Sequence, residues 1–401
     1  MKSIYKQLGQ FIRQVDIRNT DGKEDNLLGV SVQKKFIPSI ANTVGTDFTK
    51  YKIVKRGQFT YIPDTSRRGD KIAIALLLDY EEGIVSNVYT VFEVIDENQL
   101  LSEYLMLWFM RPEFDRYARF KSHGSVREVM DWDEMCKVEL PVPEIEKQRQ
   151  IVKAYNTIND RIALKRKIND NLEAQMLAAF NSRFLFFEEN ENECIETPIG
   201  MIPANLPVVL VGDIKPRIES GKRPSGGALA EGYPSLGADC AKAIGCYDSS
   251  KAKYIPFDFA QKMDKGIVRG YELLAYKDGG KPSEFIPAFS IYGEGYPFEE
   301  FAINEHVFII DFGSPAANLF AYFLFKSRYV YNLLSAAGEK SAIPGINQQD
   351  INSLYAIDPN CAEAKQFGTM FLPLLRLILL NCKEILALED TKNSILTVLS
   401  R

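Results

Sequence analysis

Lys222-Arg223-Pro224-Ser225-Gly226-Gly227 sets cations beside a hydroxyl and paired glycines. That combination suits an oxyanion. Glycine lets backbone come close to a phosphate, while Arg, Lys, Ser and backbone N–H supply the contacts. Similar clusters recur along the chain: Lys34-Lys35, Arg67-Arg68-Gly69-Asp70-Lys71, Lys121-Ser122-His123-Gly124-Ser125-Val126-Arg127, the isolated Lys242, and Lys277-Asp278-Gly279-Gly280-Lys281. Arg and Lys also pair with guanine edges in the major groove, and Asn and Gln with adenine. A single cluster of this kind would read as a solvated loop. Its recurrence in both halves points to binding. The candidate DNA-contacting residues are therefore Lys34, Lys35, Arg67, Arg68, Lys71, Lys121, His123 and Arg127 in the first half, and Lys222, Arg223, Lys242, Lys277 and Lys281 in the second. Spacing alone does not separate residues that read bases from residues that position phosphates.

Bond-making chemistry is harder to find. Ser220-Gly221-Lys222-Arg223 lacks the leading glycine and the terminal hydroxyl of a nucleotide-triphosphate loop, and no dinucleotide fingerprint follows a strand. No Asn-Pro-Pro-aromatic or Asp-Pro-Pro-aromatic tetrad of the kind amino-methyltransferases use is present. The two histidines, His123 and His306, are far apart, and no G-x-S-x-G elbow accompanies either. The six cysteines form no C-x-x-C pair, which argues against zinc and for reduced, buried thiols. Glu389-Asp390-Thr391-Lys392 superficially matches a nuclease D-x-K, but it lies in a helical heptad. The chain is expected to be non-catalytic, with no cofactor or metal of its own.

The elements that must position these loops come twice, about 215 residues apart. Val54-Lys55-Arg56-Gly57 is echoed by Val268-Arg269-Gly270, and Tyr104-Leu105 by Tyr322-Phe323. Gly124 with Trp132-Asp133 is echoed by Gly338 with Ile346-Asn347, and Leu140-Pro141-Val142-Pro143 by Ile357-Asp358-Pro359. Solenoid repeats run at roughly 20–50 residues, so this period is a duplicated domain. The strand signals predict strands over 71–78, 88–95, 271–276 and 306–311, and helices over 101–120 (broken at Pro112) and 315–334. The 401 residues, 46% apolar and 25% charged with a net charge of −5, fit a soluble protein with more than one core. That charge argues against a bulk-electrostatic nucleic-acid binder without excluding clustered cations.

Each copy runs into a long helical pattern. Ile151, Tyr155, Ile158 and Ile162, continued by Leu164, Ile168, Leu172 and Met176, predict an amphipathic helix of about ten turns, with Asp160, Arg161, Lys165, Arg166, Lys167 and Asp170 on its other face. Phe371, Leu375, Ile378, Cys382, Ile385, Leu396 and Leu399 fit a second seam, interrupted by Glu389 and Lys392. The apolar run over 371–380 is too short to span a bilayer. Between the halves, 188–196 reads as an exposed acidic linker, and Pro198, Gly200, Pro203 and Pro207 predict an irregular stretch after it.

In their order over nearly the whole length, these motifs resemble the specificity (S) subunits of Type I restriction-modification systems. The clearest stretch is Ser220-Gly221-Lys222-Arg223-Pro224, Gly232-Tyr233-Pro234, Lys253-Tyr254-Ile255, Val268-Arg269-Gly270-Tyr271-Glu272-Leu273-Leu274 and Lys277-Asp278-Gly279. It is similar to the opening of a target recognition domain in that family. Thr197-Pro198-Ile199-Gly200-Met201-Ile202-Pro203 resembles the approach to the second such domain, with Leu206-Pro207 where the family usually has Trp. Leu140-Pro141-Val142-Pro143 with Glu146-Lys147-Gln148 and Ile151-Val152 is similar to the junction into the family's helix, and Ile357-Asp358-Pro359 with Lys365-Gln366 is a more degenerate version.

The resemblance implies a mixed α+β fold: two pseudo-symmetric α/β target recognition domains joined by two long antiparallel coiled-coil helices. The implied division is a first recognition domain at 1–143, spacer helix at 144–186, linker at 187–206, second recognition domain at 207–359 and second spacer helix at 360–401. Each domain would read half of a bipartite site in double-stranded DNA. The helices would set the gap and dock two modification (methyltransferase) subunits, which use S-adenosylmethionine to methylate a flipped adenine. The resemblance leaves room for two restriction subunits using ATP and magnesium, and implies a prokaryotic, cytoplasmic setting without a membrane partner. Two other readings stay open: a non-enzymatic scaffold with the same fold, and a stand-alone methyltransferase or nuclease.

Overall fold

The computed structural model describes residues 5–39, 45–65, 71–122, 128–186, 194–279, 284–339 and 344–399. Helices and strands are mixed throughout, and the chain divides into two compact units: Met1–Arg161 with Leu388–Arg401, and Ile162–Ala387.

The core of the first unit forms around an antiparallel sheet ordered Ile12–Val15, Thr90–Val94, Phe59–Tyr61, Ile74–Leu76. Aromatic and β-branched residues fill its inner face. Phe59 and Phe92 stack 4.8 Å apart across paired strands, and Phe109 meets Phe59 edge-on. Phe109 ends helix α1 (Ser102–Phe109), whose uninterrupted apolar run is buried on nearly every side. Pro112 starts a new helix, α2 (Pro112–Lys121), so the predicted 101–120 helix is two helices meeting at Met110-Arg111. The short α3 (Trp132–Cys136) follows, N-capped by Asp131. Strand Tyr5–Gln7 pairs with Glu139–Pro141 and closes the domain. Helix α4 (Ile145–Phe184) follows directly. Gln148 in its first turn is fully buried; it donates to Gln99 O and Pro143 O and accepts from Leu101 N.

The second unit repeats this plan. Its sheet is ordered Arg217–Ser220, Val307–Asp311, Leu273–Tyr276, Phe289–Ile291. A second sheet carries the short helix α5 (Phe257–Gln261) in the connection between its strands Tyr254–Ile255 and Ile267–Val268. Helices α6 (Pro315–Lys326) and α7 (Arg328–Gly338) meet at Ser327, splitting the predicted 315–334 helix as α1 and α2 split the earlier one. Helix α8 (Gln348–Asn352) starts from an Asn347–Asp350 capping box. Strand Val208–Leu210 pairs with Tyr355–Ile357, and helix α9 (Ala362–Val398) follows. The predicted strands at 71–78 and 88–95 shrink to Ile74–Leu76 and Thr90–Val94. The stretch expected to be irregular is a hairpin, Cys194–Thr197 with Gly200–Pro203, because Gly200 takes the positive φ its turn needs.

A related turn sits before the third sheet strand of each copy. In the first, Lys55 N donates to Gln58 Oε1 at 2.8 Å, and Gln58 Nε2 to Glu93, which also accepts from Arg13. Burial pushes the Glu93 carboxyl up, but those Gln58 and Arg13 hydrogen bonds outweigh it and hold it below the usual carboxylate range. In the second, Gly270 N and Arg269 N donate to Glu272, which Arg217 joins at 3.1 Å, with Asp311 opposite. Gly57 and Gly270 both hold positive φ. The repeated Val-Lys-Arg-Gly and Val-Arg-Gly signatures mark related turns into these strands, the second with Tyr271 as an additional residue between glycine and strand.

The helix seam departs from the sequence pattern. Leu164 and Ile168 are 58% and 36% exposed, while Lys165, expected on the polar face, and Asn169 point inward. A coiled-coil stripe advances by 3.5 residues. The buried line therefore runs from Ile162 through Lys165 and Asn169 to Met176, Phe180 and Phe184. Within the second unit, Lys165 meets Glu384 at 2.7 Å, Asn381 donates to Asn169 at 2.8 Å, and Arg183 donates to Gln366 at 2.6 Å. Residue numbers rise on one helix as they fall on the other, so these segments run antiparallel. In the first unit, Val152 and Tyr155 share a cluster with Leu396 and Leu399. The cysteines are free but half-buried rather than buried. Among the described residues, no helix is long and apolar enough to cross a membrane.

Gly368 tests the fit of α9. A Cβ there would lie 2.1 Å from Ala316 O and 2.5 Å from its carbonyl carbon. Gly368→Ala is expected to destabilise the protein by about 1–3 kcal/mol or more, because backbone rather than a flexible side chain must yield. A urea unfolding curve measures this.

Candidate nucleic-acid interface

In each unit one backbone device gathers basic loop segments. In the first, Asp64 and Val129 form an isolated antiparallel bridge, and Met130 N donates to Pro63 O. Thr65 N donates to Glu128 O at 3.0 Å, and Thr65 Oγ1 to Ser122 Oγ at 2.9 Å. Thr65, Ser122 and Glu128 are the residues next to the 66–70 and 123–127 segments. Arg67, Arg68, His123 and Arg127 themselves lie outside the described residues. In the second unit Asp278 bridges Gly345, Gly279 N donates to Pro344 O at 2.9 Å, and Ile346 N to Lys277 O at 2.8 Å. Lys281 lies outside the described residues.

The described cations divide by burial. Lys35 and Lys71 are exposed, and Lys121 is half-buried beside Tyr117 and Phe120. Lys34 corrects the sequence reading. It is only 7% exposed, pairs with Asp115 at 2.8 Å, donates to Phe109 O and lies over the Phe114 ring. Burial pushes its ammonium below the usual range, with Asp115 opposing. Asp115 also accepts from Ile72 N. Lys34 is a core tie between its loop and the α1–α2 pair, out of reach of a phosphate.

In the second unit, Arg223, Lys277 and His306 converge on Glu305. Arg223 pairs with it at 3.1 Å, His306 lies 3.4 Å away, and Lys277 donates to its carbonyl at 3.1 Å. His306 also pairs with Asp278. Lys242 is held by Asp239 at 3.2 Å. Both line a cavity of about 530 Å³ with Tyr276 and Gly279, which puts Lys242 beside the Lys277 strand end. Lys222 stands apart, 3.5 Å from Asp264. Sequence reasoning missed His306 and Glu305. Their signal was the break just before a buried strand, in a loop without a glycine or a run of cations. Among the described residues, no group of three or more His, Cys, Asp or Glu is placed to hold a metal.

Residues 8–174 match the family model described as Type I restriction modification DNA specificity domain. The chain is 25% identical over 323 residues to the Type I restriction enzyme MjaIX specificity subunit of Methanocaldococcus jannaschii, covering 76% of this chain and 69% of that protein. It is 25% identical over 256 residues to the HindI specificity subunit of Haemophilus influenzae, covering 62% of this chain and 53% of that protein. The solved structure of a Type I restriction-modification S subunit from M. genitalium shares the fold, with a TM-score of 0.54 at 11% identity over 99% of this chain and 96% of that one. The resemblance to Type I specificity subunits that the motifs carried is borne out.

The burial difference among the cations has a direct test. Lys34→Met strands the Asp115 carboxylate and is expected to cost about 3–5 kcal/mol of stability. Lys222→Ala, at a solvent-exposed pair, is expected to change stability by less than about 0.5 kcal/mol. Parallel chemical denaturation of the two variants distinguishes the roles.

Proposed function

We propose that this chain is the DNA-reading specificity subunit of a Type I restriction-modification complex, non-catalytic in itself. Each globular copy reads one half of a bipartite target in double-stranded DNA, and the paired long helices fix the gap between the half-sites. Two modification subunits dock on it, bring S-adenosylmethionine and methylate an extruded adenine. Restriction subunits, with ATP and magnesium, join the same assembly. The observation that carries this reading is the repeated bridge, Asp64 to Val129 and Asp278 to Gly345, which in each unit joins the stems of two connections whose sequences hold Arg, Lys and Gly. A sheet that presents loops joined at their stems suits base readout, since phosphate contacts set position and base edges set sequence.

One observation favours the scaffold reading. In the second unit Lys222, Arg223, Lys242 and Lys277 each stand within ion-pair distance of a carboxylate. DNA binding must exchange those carboxylates for phosphate. Such exchange costs little at the exposed pairs of Lys222, Arg223 and Lys242, which are worth about 0–1 kcal/mol, while Lys277 and Asp278 are half-buried.

Sequencing of methylated adenines in cells carrying the chain and its modification subunit tests the reading. Loss of the chain should abolish methylation at one split motif. Charge reversal at Arg67 and Arg68 should alter one half of that motif, and at Lys222 and Arg223 the other. Unchanged DNA binding by all of these variants would favour the scaffold. A four-residue insertion in α4, about one helical turn, should change the gap or block assembly. A phosphate-contacting lysine, once removed, lowers the salt slope for all sequences alike; a base-reading arginine relaxes one position.

A further inference from the structure

In the second unit the strand Val307–Asp311 lies between Arg217–Ser220 and Leu273–Tyr276 and begins where both neighbours end, with Ser220 opposite Phe308 and Tyr276 opposite Val307. The turn into it, Glu305-His306, therefore stands between the basic segments that follow those strands, Lys222-Arg223 and Lys277-Asp278. Glu305 is held there in two ways. Its carbonyl oxygen accepts from Lys277 Nζ at 3.1 Å and from Ser220 Oγ at 3.3 Å, which pins the main chain. Its carboxylate meets a different pair: Arg223 Nη2 and His306 Nε2 stand 3.1 and 3.4 Å from the same oxygen, Oε1. The other oxygen, Oε2, is buried and has no hydrogen-bond partner among the described residues. A carboxylate with one oxygen desolvated and without a donor is poorly satisfied. The Glu305 and Arg223 side chains are 37% and 46% exposed, so the carboxylate can leave without opening the core.

We propose that Glu305 is an internal stand-in for a phosphate of the DNA backbone: in the free chain its carboxylate fills an oxyanion seat made by Arg223 and His306, and it swings out when the phosphate arrives. The inference rests on the DNA-reading assignment above and adds how that reading is regulated. The charge count fits. Asp278 stays with Lys277 and His306, so departure of Glu305 leaves one uncompensated cation, Arg223, counting His306 as neutral. A phosphodiester carries the single negative charge that this cation matches. Its oxygens remain open to solvent, so the exchange replaces a half-desolvated anion with an exposed one. The pinned main chain keeps the seat in place while the side chain moves. Because the carboxylate competes with every sequence equally, it lowers non-specific binding and leaves discrimination to base contacts elsewhere. Arg223 is thereby a phosphate-positioning residue.

The full chain is compared with Glu305→Gln, with Arg223→Gln and with the two combined. Asp213→Asn, which removes an exposed carboxylate ahead of the opposite end of Arg217–Ser220, controls for net charge. Anisotropy titrations with duplexes of unrelated sequence, at several salt concentrations, read affinity. Broadening of the phosphorus NMR signal of inorganic phosphate reads occupation of the seat without DNA. Glu305→Gln is expected to bind every duplex at least about threefold tighter and to broaden the phosphate signal where the unaltered chain does not. Asp213→Asn should do neither. Arg223→Gln should weaken all duplexes alike, with a salt slope smaller by about one, and in its presence Glu305→Gln should bring no gain. Phosphate uptake by Glu305→Gln without tighter duplex binding overturns the proposal and puts the fault in the DNA-reading assignment. No uptake and no gain, in a chain that still binds duplex, overturns the seat alone. Equal gains from Glu305→Gln and Asp213→Asn overturn it as an effect of net charge. Should Glu305→Gln not fold by circular dichroism, Arg223→Gln decides by itself: unchanged affinity and salt slope overturn the proposal.

Discussion

Five phenylalanines hold the second unit on its helices. Phe180 and Phe184 on α4, Phe320 and Phe323 on α6, and Phe367 on α9 meet with ring centroids 4.9–6.1 Å apart, mostly tilted or edge-to-face. A helix as long as α4 cannot bury its stripe in one globule, and its own propensity would not hold it in water. Packing one end into this cluster orders the helix. Just beyond, Tyr322 and Lys326 both donate to Glu173 of α4, at 2.7 and 2.5 Å. The sheet, the loops and the seam all take their places from there.

Along the seam, apolar contact alone would let the two segments slide. The Asn169–Asn381 pair with Lys165 and Glu384 prevents that. A shift by one heptad would bury an amide and an ammonium against aliphatic neighbours, and unpaired groups of that kind are costly. Polar residues within a seam are a known way of fixing register. In the first unit Val152, Tyr155, Leu396 and Leu399 meet through apolar contact.

Much of this was legible in the sequence because it rests on short-range rules. The duplication showed because related turns need a positive-φ glycine at Gly57 and Gly270, and one buried tyrosine recurs at Tyr104 and Tyr322. The split of each α1–α2-type pair showed only where proline marked it; Ser327 gave no such sign. The seam residue Lys165 was misplaced, and Asn169 went unmarked, because their contacts depend on partners more than two hundred residues away. Lys34 failed for the same reason. A lysine in a loop reads as solvated until Asp115 and the end of α1 are brought beside it. His306 and Glu305 were invisible because three segments meet there only after folding.

The isolated bridges have a consequence for the order in which each unit assembles. Asp64 and Val129, and Asp278 and Gly345, are far apart in sequence, with strands and helices of the same unit between them. Closing so long a stretch of chain costs entropy that one pair of backbone contacts cannot repay. The intervening sheet and helices must therefore be in place first, and the two bridges are late contacts that report a finished core rather than nucleate it.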